Sequence, residues 1–408
     1  MKKPSLLIIF LTVFIDLIGF GIVLPLLPRY SEKFGAEGVM IGFIISSFSL
    51  MQFFFAPIWG RWSDRVGRRP VLLISLAGSA MAYALFAVAA QYQGTTGLLL
   101  LLASRVFAGI CGANLSVASA YIADVTTAEN RSKGMGMIGM AFGLGFILGP
   151  ALGGISAKYF GLAGPGWVAA SICAANFLLA CFILVESKQP SSQHVPPRPK
   201  WDQWVHTMAQ PKLRLLISLF FLATFCFTAF ESTLPLLLDK RFKYDETQVS
   251  YLFAYCGLMA ALVQGGGIGR LVKRFGEPGL IFGSFLVVAV SLTMIPFVPG
   301  LGGLLLALGL FAIGSGINRA PTMGLISMNS PAEEQGATLG VAQSAGTLAR
   351  VIGPTIATGL YGWHMPLPYV MCSAVALLAG VVAWRFLCRH GQPAVEAELE
   401  EPEKVTPA

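Results

Sequence analysis

The sequence predicts an all-α membrane protein: twelve transmembrane helices in two pseudo-symmetric bundles of six. Three observations carry this. Of 408 residues, 55% are hydrophobic and only 12% charged, with a mean hydropathy of +0.71. Soluble domains carry about 25% charged residues, so too little polar surface is present to clothe one. Twelve apolar segments, each near the roughly 20 residues that cross a bilayer, follow one another along the chain. Landmarks of the first half also return in the second. The loop holding Gly60, Asp64, Arg65, Gly67, Arg68, Arg69 and Pro70 recurs in decayed form from Gly269 to Pro278, 209 residues later. Leu24-Pro25 matches Leu234-Pro235 at an offset of 210; Asn114 matches Asn318 and Gly149-Pro150 matches Gly353-Pro354 at 204. Ordered matches at nearly constant spacing are the mark of a duplicated bundle.

Taken in order, span one (5–28) is a long apolar run interrupted by Asp16 and closed by Pro25 and Pro28. Its basic start imitates a signal peptide, but the run is too long and no small-residue cleavage site follows. Span two (38–60) leads through the basic loop to span three (70–91). Span four (96–123) carries Arg105, and span five (134–157) carries Gly145, Gly149, Pro150, Gly153 and Gly154. Glycines at i, i+4 and i+8 make one smooth face, and the proline bends the helix. Span six (165–186) ends the first bundle, 1–186. Residues 187–211 are proline-rich, polar and basic and read as a cytoplasmic linker, with Trp201 and Trp204 in a short amphipathic segment along the membrane interface. The second bundle, 212–388, follows as spans 212–238, 246–268, 277–298, 300–325, 335–360 and 367–388. The acidic tail, 389–408, reads as disordered and cytoplasmic.

The net charge of +8 does not point to nucleic acid, because its distribution has another cause. With a cytoplasmic N-terminus, 19 of the 28 Lys and Arg fall in cytoplasmic loops and tails, six outside and three inside spans. That is the positive-inside bias, and it puts both termini in the cytoplasm. The seven cysteines all lie in apolar segments without metal-ligand or disulfide spacing and read as small core residues. No phosphate-binding loop, metal cluster or nucleophile constellation is visible, so no cofactor, metal or enzyme activity is expected.

These motifs carry a resemblance. The loop Gly60, Asp64, Arg65, Gly67, Arg68, Arg69 resembles the loop 2–3 signature of the major facilitator superfamily, and Arg105 with Gly109 resembles its span-four arginine motif. The span-five glycines and Pro150 are similar to the signature of its twelve-span drug/proton antiporters. Asp16, Gly19, Gly21, Pro25 and Pro28 are similar to span one of tetracycline exporters, as are Asp124, Glu129 and Arg131 beyond span four; Glu231-Ser232-Thr233 resembles span seven of quinolone-type multidrug exporters. The resemblance implies a central cavity lined by spans 1, 4, 7 and 10, with bundles that rock to alternate access. It also implies a latch: Asp64 beside the start of span eleven, where the helix dipole favours an anion, and either Arg65 or Arg68 paired with Asp124. The chain departs from both subgroups. Span nine holds no acid, unlike tetracycline exporters, and Gly316 stands where quinolone-type exporters can carry a second one.

Ionisable groups inside a bilayer are functional candidates by default. Asp16, Arg105, Glu231 and Arg319 fall one each on the four helices assigned to the cavity, and Arg350 lies on span eleven. Glu231 is the first candidate for proton coupling and Asp16 the second, with Arg105 as a partner for Asp16 and Arg319 or Arg350 for Glu231. Phe220, Thr224, Phe227 and Glu231 share one stripe of span seven, and Gln343, Thr347 and Arg350 share one of span eleven. With Asn114, Asn318 and Arg319 they form the expected substrate site, where aromatics and an acid suit a lipophilic cation. The expectation is a monomeric, proton-coupled exporter of small amphipathic drugs in a bacterial inner membrane, its partners being substrate, protons and lipid. A uniporter or organic-anion carrier without proton coupling is the first alternative. A ligand-binding sensor on the same scaffold is the second.

Overall fold

The computed structural model describes residues 5–112, 114–126, 128–187, 200–264, 268–330 and 335–388. Within these, the ordered secondary structure is helical. Span one is helix α1 (Leu6–Val23), a 3-10 turn at Leu24–Leu26, and α2 (Leu27–Lys33). Pro25 has no N–H to offer the preceding turn, so the ladder tightens there and then resumes instead of stopping near residue 28.

Helix α3 (Val39–Val66) joins α4 (Arg68–Ala89) through Gly67 alone, at φ 103°. Few residues but glycine adopt that backbone readily. Its repeat partner Gly276, at φ 67°, kinks α12 (Ile268–Met294) in the same way, so the duplicated loop is duplicated in conformation as well.

Span four is not the single helix expected. It divides into α5 (Gly94–Cys111) and α6 (Asn114–Val125), with the ladder broken at Gly112. The carbonyls around the break are taken up by side chains from α3 and α4. Trp59 Nε1 donates to Ile110 O at 2.6 Å, Gln52 Nε2 to Gly112 O at 3.0 Å, and Ser75 Oγ to Cys111 O. Backbone polar groups away from water need such partners.

Helices α7 (Ala128–Phe160) and α8 (Gly164–Ile183) complete the first bundle. The second comprises α10 (Pro211–Leu237), α11 (Glu246–Leu262), α12, α13 (Leu301–Met328), α14 (Gln335–Trp363) and α15 (Leu367–Ala383). Among the described residues, ten helical segments are long and apolar enough to cross a membrane; α11 and α14 fall outside that ten. Packing brings both into the bundle nonetheless. α1 lies on α7 as α10 lies on α14, α4 on α8 as α12 on α15, and α4 on α5 as α12 on α13. Between the bundles, α3 packs on α14 and α11 on α7, again as an exchanged pair. Large apolar side chains such as Phe182 and Leu378 are exposed on the outer faces, as lipid-facing helices require.

In the preceding segment, α9 (Lys200–Ala209) contacts α10 and α14. Trp204 packs with Leu213, Ile326 and Val341, so it docks on the second bundle; the side chain of Trp201, the polar stretch 188–199 and the acidic tail from 389 lie outside the described residues. All seven cysteines are free thiols.

The apolar core shows how the bundles meet. One cluster joins Ile22, Leu26 and Tyr30 of the first bundle to Leu234, Leu237 and Val249 of the second. At the opposite end the core splits into a cluster of first-bundle residues, such as Ile9, Leu72 and Tyr121, and another of Leu213, Ile326 and Val341. Among the described residues the two bundles therefore share a core at one end only.

Candidate functional site

At the joined end, polar contacts cross between the bundles. Arg29 Nη2 donates to Asp239 Oδ1 at 2.8 Å and Nη1 to the carbonyl of Tyr244 at 2.7 Å; Glu246 lies 3.8 Å from the same guanidinium. Lys33 pairs with Glu246, and Lys240 with Glu32 at 3.4 Å. Asp245 and Gln248 form a capping box that fixes the start of α11, and so the position of Glu246.

Glycines set the distances between helices here. A Cβ on Gly42 of α3 would meet Thr355, Thr358 and the Pro354 carbonyl of α14. On α7, Gly149 faces Gly21 backbone to backbone, Gly145 faces Leu17, and Gly153 faces the Ile22 carbonyl. Gly154 instead faces Thr247 and Ser250 of α11. The smooth face of span five thus serves two neighbours, one in each bundle.

At the far end, Gly67 brings the N-terminus of α4 onto Glu186. Its Oε1 accepts from the Arg68 backbone N–H at 2.8 Å, and its Oε2 from that of Arg69 at 3.0 Å. This is an anion at a helix N-terminus. Of the two arginines expected to meet Asp124, it is Arg68 that does so, with Nε at 3.1 Å, while Nη1 donates to Ser63 Oγ at 2.7 Å. Ser187 also donates to Asp124, at 2.9 Å. Arg69 reaches the carbonyls of Leu184 and Cys181, both at 2.8 Å. Arg65 is exposed, Gly60 has open space around it, and the Asp64 side chain lies outside the described residues.

Between the two ends lie two adjoining cavities that share Phe20, Phe48 and Arg350. The first also meets Arg105, Phe146, Phe227 and Glu231. The second meets Asp16, Gln52, Ser79 and Tyr83. The ionisable groups singled out from sequence therefore gather in one region, with the exception of Arg319, which lines neither cavity.

Their pairing differs from expectation. Arg105 does not neutralise itself on Asp16. Its guanidinium lies 5.6 Å from the ring centroids of both Tyr83 and Phe86, and Nε and Nη2 have no hydrogen-bond partner although the residue is 1% exposed. Asp16 accepts from Cys173 Sγ at 3.9 Å, toward α8. Glu231 forms no ion pair within 4.0 Å with Arg319 or Arg350, although Arg350 is near enough to attract it electrostatically, and its Oε1 is buried without a hydrogen-bond partner. α10 and α14, which carry Glu231 and Arg350, pack together in this region, with Thr228 Oγ1 3.4 Å from the Ala349 carbonyl, but the two side chains do not close into a salt bridge.

The expected substrate stripe on span seven divides. Phe227 and Glu231 line the cavity, with Phe227 stacked on Phe311 at 6.1 Å. Phe220 instead packs over Gly346 of α14, and the Thr224 hydroxyl donates to the Phe220 carbonyl in its own helix. α14 packs along α10, with Gly346 against Phe220 and Gly353 against Thr228, and so covers the Phe220 end of the stripe. On α14, Thr347 donates to the Gln343 carbonyl, and of Gln343, Thr347 and Arg350 only Arg350 reaches the cavities. Asn318 is 4% exposed and donates to Ser284 Oγ at 2.8 Å, tying α13 to α12 instead of facing a ligand. The Asn114 side chain lies outside the described residues.

Sequence reasoning missed Phe20, Phe48, Gln52 and Phe146. A signal existed for part of this set: Ile45, Phe48, Ser49 and Gln52 follow helical spacing on span two and include a lone amide in an apolar run. It also missed Glu186 and the Arg29 cluster, whose partners lie far apart in the chain.

The family model described as Major Facilitator Superfamily matches residues 9–277 and 267–407. Tetracycline resistance protein, class D, from Salmonella ordonez is 32% identical over 359 residues, covering 87% of this chain and 89% of that one. Mouse major facilitator superfamily domain-containing protein 10 is 29% identical over 436 residues, covering 94% and 93%. The crystal structure of the human organic anion transporter MFSD10 (TETRAN) superposes with a TM-score of 0.70 at 28% identity, over 94% of this chain and all of that one. Helical architecture, repeated neighbours, signature loops and these likenesses agree: the chain belongs to the Major Facilitator Superfamily and is a multi-pass membrane transporter, not an enzyme.

Proposed function

We propose that the protein is a proton-coupled antiporter that exports small amphipathic compounds across a bacterial inner membrane by alternating access. The observation that carries this is Glu231: a carboxylate with a buried, unpartnered oxygen in a cavity bounded by both bundles. Such an oxygen is served either by a proton or by a donor on the substrate, and competition between them is the elementary step of antiport. The tetracycline resistance relatives fit an exporter. Asp16, in the adjoining cavity, is the second acid through which a proton can pass.

In this reading the Arg29 end is external and closed, and the end where the core divides is cytoplasmic and open. Arg29, Lys33 and Lys240 hold the closed side. Opening it breaks these pairs while the cytoplasmic halves come together, with the Arg68–Asp124 pair and the Asp64 loop meeting span eleven. Gly154 of α7 against α11 and Gly42 of α3 against α14 keep the contacts between the bundles free of bulky side chains, which lets the bundles turn.

One observation favours a second reading. Arg105 and Arg350 line the same cavity as a single glutamate, and a solved relative is an organic anion transporter; a carrier of anions without proton coupling would use that charge. Proteoliposomes with an internal pH dye separate the two readings. Lipophilic cations, tetracyclines and organic anions are added to wild type, Glu231→Gln and Asp16→Asn. Antiport predicts substrate-triggered proton movement in wild type, lost in Glu231→Gln. Substrate flux without proton movement, unchanged in both variants, would sink antiport in favour of the second reading.

A further inference from the structure

We infer that the cavity is built for a zwitterion, with Arg105 holding the anionic group of the substrate and Glu231 its protonated amine. The inference rests on the exporter reading and names the substrate class of that site. Arg105 comes from the first bundle and Glu231 from the second, and both line one cavity. Each carries unmet hydrogen-bonding capacity of opposite kind: donors at Nε and Nη2 of Arg105, an acceptor at Oε1 of Glu231. A guanidinium that is 1% exposed and a buried carboxylate oxygen are expensive to leave unserved. The two aromatic rings beside Arg105 relieve part of its charge but accept no in-plane hydrogen bond. Neither residue makes a salt bridge among the described residues; Arg350 attracts Glu231 from a distance but leaves its Oε1 unserved, and the protein does not neutralise Arg105 and Glu231 with each other.

The simpler ligands fit less well. A cation satisfies Glu231 and leaves Arg105 without an acceptor. An anion satisfies Arg105 but binds best when Glu231 carries its proton, which makes substrate and proton travel together instead of exchanging. A zwitterion serves both ends. Its amine displaces the proton of Glu231, and its aromatic body lies among Phe20, Phe48 and Phe227.

The test uses equilibrium binding to purified protein in detergent, read by ligand fluorescence anisotropy. The probes are ciprofloxacin, its methyl ester, which keeps only the amine charge, and its N-acetyl derivative, which keeps only the carboxylate. Wild type is expected to bind the zwitterion about tenfold or more tightly than either derivative, the scale of a charge-assisted contact. Arg105→Gln should erase the preference over the ester but keep that over the N-acetyl form, and Glu231→Gln should do the reverse. Equal binding of all three by wild type, or binding of none, overturns the inference without recourse to any variant. So does an Arg105→Gln protein, folded by circular dichroism, that weakens all three alike, since that is a structural role. Charge selectivity without proton exchange in liposomes would sink antiport and leave this subsite standing.

Discussion

Gly42 offers a direct way to push the protein between its states. It lies on α3 where that helix meets α14 across the bundle interface. A Cβ added there would stand 2.5 Å from the Pro354 carbonyl oxygen and closer still to Thr355 Cα and Thr358 Oγ1. Ordinary contact begins near 3.4 Å, so α3 and α14 must separate by about 1 Å. Two of the opposing atoms belong to backbone, and no side chain can swing aside to spare them. Overpacking of this kind costs about 1–3 kcal/mol. Under the alternating-access cycle proposed above, this contact exists only where the bundles are closed at the Arg29 end, and the cost falls on that state alone. A difference of about 1–3 kcal/mol shifts a two-state equilibrium about 5- to 150-fold. The assay is pulsed electron spin resonance between labels at Glu37→Cys and Arg241→Cys, both exposed at that end, in a background lacking the seven native cysteines. Gly42→Ala should move the distance distribution toward the longer component. Gly60→Ala, with open space around the glycine, should leave it unchanged, and Gly149→Ala, which clashes with Gly21 inside one bundle, should lower thermal stability instead. A folded Gly42→Ala protein with an unaltered distribution would refute the assignment of α3 and α14 as a state-dependent contact.

Two further outcomes follow from the polar contacts. Gln52→Leu strips the Gly112 carbonyl of its donor at the break in span four, and should destabilise the protein by about 1–3 kcal/mol, read as a lower midpoint in detergent thermal unfolding; an unchanged midpoint means water or another group serves that carbonyl. Glu186→Ala uncovers two N–H groups at the start of α4 and should cost about 0.5–2 kcal/mol in the same measurement, with Glu186→Gln falling between; equal midpoints for all three would show that the cap carries no stability.

Much of this architecture was legible in the residues because its causes are local or periodic. Apolar run length reports a span, and a repeated glycine at 67 and 276 reports a repeated turn, since few other residues hold a positive φ there. The ionisable groups inside the spans were equally visible, because a charge in an apolar run stands out whatever it meets. By itself, then, the sequence determined the fold class, the duplication, the loop turns and the short roster of intramembrane charges.

What those charges do was decided by tertiary structure. Whether Arg105 meets Asp16 or the rings of Tyr83 and Phe86 depends on where α4 and α5 cross. Whether Phe220 or Phe227 faces the cavity depends on where Gly346 of α14 meets α10. The break in span four was hidden because Gly112 is tolerable inside a helix until Trp59, Ser75 and Gln52 arrive from other helices to take the carbonyls of Ile110, Cys111 and Gly112. Arg29 and Asp239 lie 210 residues apart and read singly as ordinary loop charges, yet together they close one end of the molecule. Hydropathy is a property of one segment, whereas a cavity, a clamp and an unserved hydrogen bond are properties of several helices at once.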